Sequence, residues 1–452
     1  MPTLEWIGKS KVINHHQEVP FRVLERKYSF DENGQHNEDN GSENMIIRGD
    51  NLEALKALLP RYEGRIKCIY IDPPYNTGNE GWVYNDNVND PKIKKWLGEV
   101  VGKEGEDLTR HDKWLCMMYP RLKLLQKLLA DDGVIFISID DTECSNLILI
   151  CNEIFGASNF VANVSWQRTY SPRNDSKGIV SEVEHLVVFS KNPGWQPNKL
   201  PRTEAMDSRY KNPDNDVAPW KSSDAFAPGA ATHQGMVYAI QHPFTGEMLY
   251  PSNGRCWRYQ QSSMLEYMQG WCNYRLENLH DEKERARVCG IDESAVRKDV
   301  LAIVLEEPLE VSAAKAQKVY NRGRWPGFYF TKGGYGGIAR KTYLENVGGR
   351  LPTNLWMYEE TGHTDEAKKE LISLFGGRSP FDTPKPTRLL DFVLKVAGTS
   401  ETLMLDSFAG SGTTAHAVLN ANKADNGNRH FILIEMMDYA DSITAERVKR
   451  VI

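Results

Sequence analysis

Short aliphatic and β-branched runs alternate with helix-spaced apolar positions over residues 45–190 and again over 384–452. That alternation predicts βα units around a parallel sheet. In the first stretch, Ile66-Lys-Cys-Ile-Tyr-Ile71 reads as a buried strand, with Asp72-Pro73-Pro74-Tyr75 at its carboxyl end. Residues 114–129 have helical spacing, Asp131-Asp-Gly133 reads as the stop of that helix, and 134–139 as the next strand. A helix over 142–155 closed by Gly156, then strands over 161–166 and 184–190, complete this half. In the second stretch, 402–406 is a strand, Phe408-Ala-Gly-Ser-Gly-Thr-Thr414 a glycine-rich turn and 415–422 a helix. Residues 431–434 form the following strand, which ends in Glu435.

Between these halves, 191–383 is rich in Pro, Gly, Asn, Trp and Tyr, with one helical-looking stretch near 292–320. It reads as a domain inserted into the α/β fold. Residues 1–44 end in a polar run, 31–44, and read as an arm before the main domain. The organisation is therefore an arm (1–44), a first half (45–190), an insertion (191–383) and a second half (384–452). A length of 452 residues accommodates two or three such bodies.

Composition changes this picture little. Hydrophobic residues at 40% and charged residues at 26% are those of an ordinary globular chain, which excludes general disorder. No apolar run approaches the length of a membrane span, and the opening MPTLEWIGKSKV lacks the apolar region of a secretion signal. Seven cysteines form no C-x-x-C pair, which speaks against a zinc site or a disulfide framework and for a reducing cytoplasm. No metal site is expected.

Charge is more informative locally than globally. The net charge is −6, yet residues 313–350 carry eight Lys or Arg against one acid. Seven aromatic residues, among them Tyr320, Trp325 and Tyr335, are interleaved with these cations. Such a mixture suits a surface that contacts phosphates and stacks on bases, with Arg322, Arg324, Arg340 and Lys341 as the candidate contacts. A solvated loop region explains the same composition equally well.

Two motifs carry chemistry. The strand–turn–helix around Gly410 and Gly412 lets backbone approach a ligand closely at a helix amino terminus. Glu435, at the end of the next strand, stands where an acid accepts hydrogen bonds from ribose hydroxyls. The turn alone leaves the nucleoside-bearing cofactor unspecified, and its glycines could serve helix–strand packing. The Asp72-Pro73-Pro74-Tyr75 loop is rigid and lacks two backbone donors. It offers a carboxylate, carbonyl acceptors and a flat ring, the complement of an exocyclic amino group on a planar base.

With both motifs in hand, the sequence resembles the S-adenosylmethionine-dependent DNA amino-methyltransferases. Asp72-Pro-Pro-Tyr75 looks like their catalytic motif and Phe408-Ala-Gly-Ser-Gly-Thr-Thr414 like their cofactor motif. Catalytic motif first, cofactor motif last and a long insertion between them is the order of the beta class. Ile47-Arg-Gly-Asp-Asn51, Pro384-Lys-Pro386 and Glu184-His-Leu-Val-Val-Phe189 also look familial. Leu4-Glu-Trp-Ile-Gly and Val12-Ile-Asn-His-His16 are similar to the opening of modification subunits of Type III restriction systems. Those subunits continue well past the last cofactor-domain helix, whereas this sequence ends at Arg450-Val-Ile452, a departure that bears on partnership with a restriction subunit.

The resemblance implies a Rossmann-like α/β methyltransferase sheet with an inserted target-recognition domain. It implies adenine-N6 methylation of a base flipped out of double-stranded DNA, with S-adenosylmethionine as cofactor, in a bacterial or phage-encoded cytoplasmic protein. A restriction subunit and a second copy of the chain are the partners it implies. Asp72 and the Pro73 carbonyl would accept the amino hydrogens, and Tyr75 would stack on the base. Asp406, Phe408, Gly410, Gly412 and Thr413 would line the methionine and ribose, Glu435 would hold the ribose hydroxyls, and Asp50 and Lys385 would lie at the methionine end. Ordinary roles compete for some of these: Asp50 as a helix cap, Lys385 as a helix-start lysine. Trp166 and Tyr170 are candidates for the second face of a base pocket, or buried aromatics, and His185 reads as structural. Cytosine-N4 methylation is the alternative chemistry, although that group more often has Ser in the place of Asp72. None of the cysteines follows a proline, so a ring-carbon mechanism lacks its nucleophile.

Overall fold

The computed structural model describes residues 3–77, 95, 99, 110–171 and 178–452. The chain forms two compact units, Met1–Leu200 with Leu351–Ile452, and Pro201–Arg350. The inserted unit is thus narrower than 191–383. Residues 351–383 belong with the first unit because they add a strand to its sheet.

In chain order the strands of that sheet are β1 (Met45–Arg48), β2 (Ile66–Ile71), β3 (Leu129–Ile139), β4 (Phe160–Gln167), β5 (Val183–Ser190), β6 (Leu355–Trp356), β7 (Leu403–Asp406) and β8 (His430–Glu435). Across the sheet they lie in the order β6-β4-β5-β3-β2-β7-β8-β1. Strands β3, β2, β7, β8 and β1 run parallel, β5 runs antiparallel between β3 and β4, and β6 pairs in parallel with β4. The helices used below are α1 (Asn51–Tyr62), α2 (Arg110–Leu128), α3 (Cys144–Phe155), α4 (Thr387–Ala397) and α5 (Thr413–Asp425).

The sheet is apolar on both faces because alternate side chains of each strand enter opposite cores. Ile69 and Ile71 of β2 and Leu405 of β7 pack with α1, α2 and α3. Cys68 and Tyr70 of β2 and Met404 of β7 pack with α4 and α5 on the other face. The amino-terminal segment is part of this packing, with Val12 and Val19 in the first core.

Strand directions decide what reaches the carboxyl edge. Strands β2 and β7 are parallel neighbours, so the loops after Ile71 and Asp406 emerge side by side. Strand β5 is reversed, which brings its first residues to the same edge: Glu184 pairs with Trp166 and His185 with Ile139. Arg168 follows β4 there. Asp131-Asp-Gly133 is not a helix stop; α2 ends at Leu128 and β3 begins at once. A Cβ at Gly133 would lie 2.9 Å from the carbonyl oxygens of Ala130 and Ile66, so the strand turns there only with glycine.

The second unit is built from small sheets. Trp220–Asp224, Ile338–Tyr343 and Phe328–Phe330 form an antiparallel three-stranded sheet. Met248–Leu249, Ile240–Gln241, Ala302–Leu305 and Tyr274–Glu277 form another sheet, and Leu309–Arg322 is its longest helix. Trp220, Trp257, Trp271, Phe328 and Phe330 share one core. Most of the aromatic residues of 313–350 are therefore packing residues rather than a stacking surface; Tyr335, 63% exposed, is the exception. The cysteines are all free and buried. Among the described residues no helix is long and apolar enough to cross a membrane, and no cluster of side chains could hold a metal ion.

Candidate active site

Strand β2 delivers Asp72 to the carboxyl edge, where burial leaves it 8% exposed. A carboxylate so placed needs partners. Lys385, just before α4, supplies them: its ammonium donates to Asp72 Oδ1 at 2.7 Å and to Oδ2 at 2.8 Å. The same ammonium lies 2.8 Å from the Tyr75 hydroxyl and 3.5 Å from Glu184 Oε2. The Tyr75 hydroxyl has two carboxylates in reach, Asp72 Oδ1 at 2.8 Å and Glu184 Oε2 at 3.1 Å. Arg168, partly exposed, donates to Glu184 Oε1 at 3.0 Å. Two cations and two anions thus close a neutral, mostly buried network.

Burial pushes the Asp72 carboxyl above the usual carboxylate range, and the Lys385 ammonium pulls it partly back. Burial also opposes the charge of Glu184, but Lys385 and Arg168 outweigh it and hold this carboxyl below its usual range. Lys385 is likewise desolvated, and its two carboxylates nevertheless keep it firmly protonated. The Tyr75 phenol is driven well above its usual value by burial and by Asp72. The tetrad's prolines are buried, and the Pro74 carbonyl accepts a bond from the Trp114 indole at 2.6 Å.

Beside this network lies the glycine-rich turn. Gly410 and Gly412 both have left-handed backbone, with φ of 53° and 80°. A Cβ at Gly412 would come 2.9 Å from the Thr444 carbonyl oxygen, so glycine is required on steric as well as conformational grounds. Glu435 ends β8 with both oxygens turned to backbone donors: Oε2 accepts from Gly410 N–H at 2.8 Å and Oε1 from Met437 N–H at 2.9 Å. Asp406 accepts from Phe408 N–H at 3.0 Å and from the Thr414 hydroxyl at 2.6 Å. Burial raises its carboxyl to about 7. Phe408 is half-buried.

Thr413 joins the two sites. Its hydroxyl donates to the Lys385 carbonyl at 3.1 Å and accepts from Arg447 at 2.8 Å. Lys385 therefore borders the cofactor turn with its backbone, whereas its ammonium serves Asp72. Asp50 is a helix cap: one carboxylate oxygen accepts from the N–H groups of Leu52 and Glu53 at 2.8 and 3.2 Å. The adjacent Asn51 reaches the turn instead, donating to the Ser407 carbonyl at 3.1 Å. Trp166 is buried, with its indole on the Gly362 carbonyl at 3.2 Å. Tyr170 is exposed and lies tilted against His363, 5.0 Å away between ring centres.

In the second unit the four expected DNA contacts separate. Arg322 and Arg324 are exposed and Arg340 is half-buried in its strand. Lys341 is fully buried, with its ammonium 2.5 Å from both Asp214 and Asp216 and 2.8 Å from the Trp325 carbonyl. Its charge is consumed internally, which removes it from the candidate contacts.

Sequence reasoning missed Glu184, Arg168 and Arg447. Glu184 had a signal: an acid at the start of an otherwise apolar strand. Arg447 had none, since a lone arginine in a terminal helix looks like surface. It is buried and donates to Ser411 and Thr413 in the turn, at 2.9 and 2.8 Å.

The turn fits the adenosyl-methionine group that the motifs imply. Glu435, at the end of β8, stands beside the backbone of Gly410, where a carboxylate would meet ribose hydroxyls. The Ser407 hydroxyl is buried with no hydrogen-bond partner among the described residues.

A mixed α/β sheet thus brings the Asp72 tetrad and the glycine-rich turn to the carboxyl ends of neighbouring parallel strands. The chain belongs to the DNA methylase family, whose model matches residues 66–446. It is 32% identical to the Type III restriction-modification enzyme StyLTI Mod subunit of Salmonella typhimurium, over 92% of this chain and 58% of that protein. It is 30% identical to the EcoPI Mod subunit of Escherichia phage P1, over 96% of this chain and 63% of that one. The type II methyltransferase M.KpnI of Klebsiella pneumoniae is 28% identical over 88% of this chain and 81% of its own. The chain spans less than two thirds of the length of these Mod subunits.

Proposed function

We propose that this chain transfers a methyl group from S-adenosylmethionine to the N6 amino group of a target adenine in double-stranded DNA, as the modification part of a restriction-modification system. The adjacency of the Asp72 tetrad and the Gly410–Gly412 turn, on neighbouring parallel strands, carries this reading. S-adenosylmethionine, when bound, supplies the methyl group from its sulfonium. Gly410, Gly412, Thr413 and Asp406 would hold its methionine and ribose, and Glu435 the ribose hydroxyls.

The work left to the chain is electrostatic. An aromatic amino nitrogen is a poor nucleophile because its lone pair is conjugated with the ring. Asp72 and the Pro73 carbonyl each accept one amino hydrogen, which draws the nitrogen toward tetrahedral geometry and stabilises the positive charge it gains. An acceptor held in a dry, preorganised site does this better than water. Extrusion of the base costs a few kcal/mol, offset by contacts in the site. Tyr75 is 4% exposed, with Lys385 5.0 Å from its ring centre, so stacking on the base requires the tyrosine's surroundings to open. The Pro201–Arg350 unit reads the target sequence, with Arg322 and Arg324 on phosphates. A restriction subunit and a second copy of the chain are the partners this reading implies.

Nucleoside mass spectrometry of DNA from cells expressing the chain tests the reading. N6-methyladenine is expected. N4-methylcytosine would replace adenine by cytosine, and no new methylated nucleoside would reject both.

A further inference from the structure

Asp72 presents a difficulty for the reaction just proposed. Both its oxygens already hold Lys385, and Oδ1 is also within reach of the Tyr75 hydroxyl. An incoming amino group needs one of these acceptor positions. Stripping Lys385 away altogether would leave buried charges unpaired, which costs several kcal/mol.

Glu184 offers a second seat for both donors. Its Oε2 is 3.5 Å from the Lys385 ammonium and 3.1 Å from the Tyr75 hydroxyl. The hydroxyl has one proton and two carboxylates to give it to. Glu184 itself is held from the far side by Arg168 and is 7% exposed, so it stays charged without drawing solvent into the site. It lies at the start of the reversed strand between β3 and β4, which among the described residues is the strand of this sheet whose first residues reach the ligand edge.

We propose that Glu184 is a positioning residue that takes over from Asp72 Oδ1 the hydrogen bonds of the Lys385 ammonium and the Tyr75 hydroxyl when the target amino group arrives, and so frees that oxygen while the ammonium keeps Oδ2. This rests on the amino-methyltransferase reading. No proton leaves the network in the exchange; two hydrogen bonds change acceptor, and the charge on every group is unchanged. The site remains neutral before and after, which keeps Asp72 ionised in a buried place.

The groups that face Asp72 set its titration. They are Lys385 before α4, Glu184 on β5, Tyr75 in its own loop, Tyr70 on β2 and Asp406 on β7. Of these, Glu184 pushes the Asp72 carboxyl up and Lys385 pulls it down. Neutralising Glu184 should therefore lower the pH at which Asp72 takes a proton.

The test is Glu184→Gln in the full chain. Single-turnover transfer to duplex DNA should slow by on the order of 10-fold to 100-fold, with cofactor affinity unchanged, because the lysine no longer has a charged alternative. The acid limb of its pH–rate profile should shift to lower pH. Independently of turnover, the Asp72 carboxyl, followed by carbon-13 chemical shift in enzyme without DNA, should titrate at lower pH than in wild type. Wild-type rate and an unmoved titration would overturn the proposal. Should Glu184→Gln not fold, Glu184→Asp keeps the charge but withdraws it by one methylene; it should transfer at least several-fold more slowly, and wild-type rate there would equally overturn the proposal. Failure of the wild type itself to methylate DNA would instead reject the function on which this rests.

Discussion

Lys385 donates to both carboxylate oxygens of Asp72, at 2.7 and 2.8 Å, although 313 positions separate them in the chain. Each side chain is about one tenth exposed, so neither charge is supported by water. Lys385→Met would leave Asp72 with the repulsion of Glu184 and no ammonium. The expected cost is about 3–5 kcal/mol in urea denaturation near pH 8. The variant can relieve the charge by protonating Asp72, whose folded-state pKa then lies still higher above its unfolded value. Its deficit should therefore shrink as pH falls toward 5, and an equal deficit at both pH values would rule out an uncompensated carboxylate as the cause.

Asp406 gives a separate pH signature. Its carboxyl is raised from 3.8 to about 7 by burial, so the folded chain keeps a proton that the unfolded chain releases. Stability from this group is present at low pH and is lost as pH rises from 3.8 to about 7. Asp406→Asn cannot ionise, and its amide can still accept from Phe408 and donate to Thr414. Relative to wild type, the variant should gain stability across that interval and level off above it. Parallel stability curves would show that Asp406 does not titrate in this range.

The basic segment of the second unit should divide under mutation. Arg322 and Arg324 are exposed, so Arg322→Gln with Arg324→Gln should weaken binding to all duplexes alike. The salt dependence should flatten by about one unit per lost phosphate contact. Lys341→Met should instead destabilise the fold by about 3–5 kcal/mol, since Asp214 is buried against it. Unchanged affinity and salt slope in the arginine double variant would assign this segment to ordinary solvated surface.

What the sequence disclosed follows from how local the cause was. Strand β2 was legible to the residue, because six apolar-patterned positions stop at Asp72-Pro-Pro. The glycine turn was legible because positive φ at Gly410 and Gly412 restricts which residues stand there. Strand β6, two residues long, was not, since no periodicity can show in Leu355–Trp356. The aromatic-rich basic segment misled for a physical reason: Trp and Tyr suit a small core as well as a base-stacking face, and only burial separates the two. Lys385 was found but assigned to the cofactor, because the partner of a buried lysine depends on tertiary contacts that sequence spacing does not encode. Glu184 did carry a signal, an acid at the start of an otherwise apolar strand, but the reversed direction that brings it to Asp72 is set by tertiary pairing.

Single-turnover methyl transfer by Asp72→Ala, with enzyme and S-adenosylmethionine saturating, is the most direct measurement. If the carboxylate strengthens its bond as the amino nitrogen becomes positive, transfer should fall by on the order of 100-fold or more. Cofactor affinity should be nearly unchanged, and duplex affinity should change by less than about 2 kcal/mol. Asp72→Asn should retain more activity, since its amide oxygen still accepts one hydrogen bond. Near-wild-type transfer in folded Asp72→Ala would contradict an acceptor role for Asp72, and with it the amino-methyltransferase mechanism.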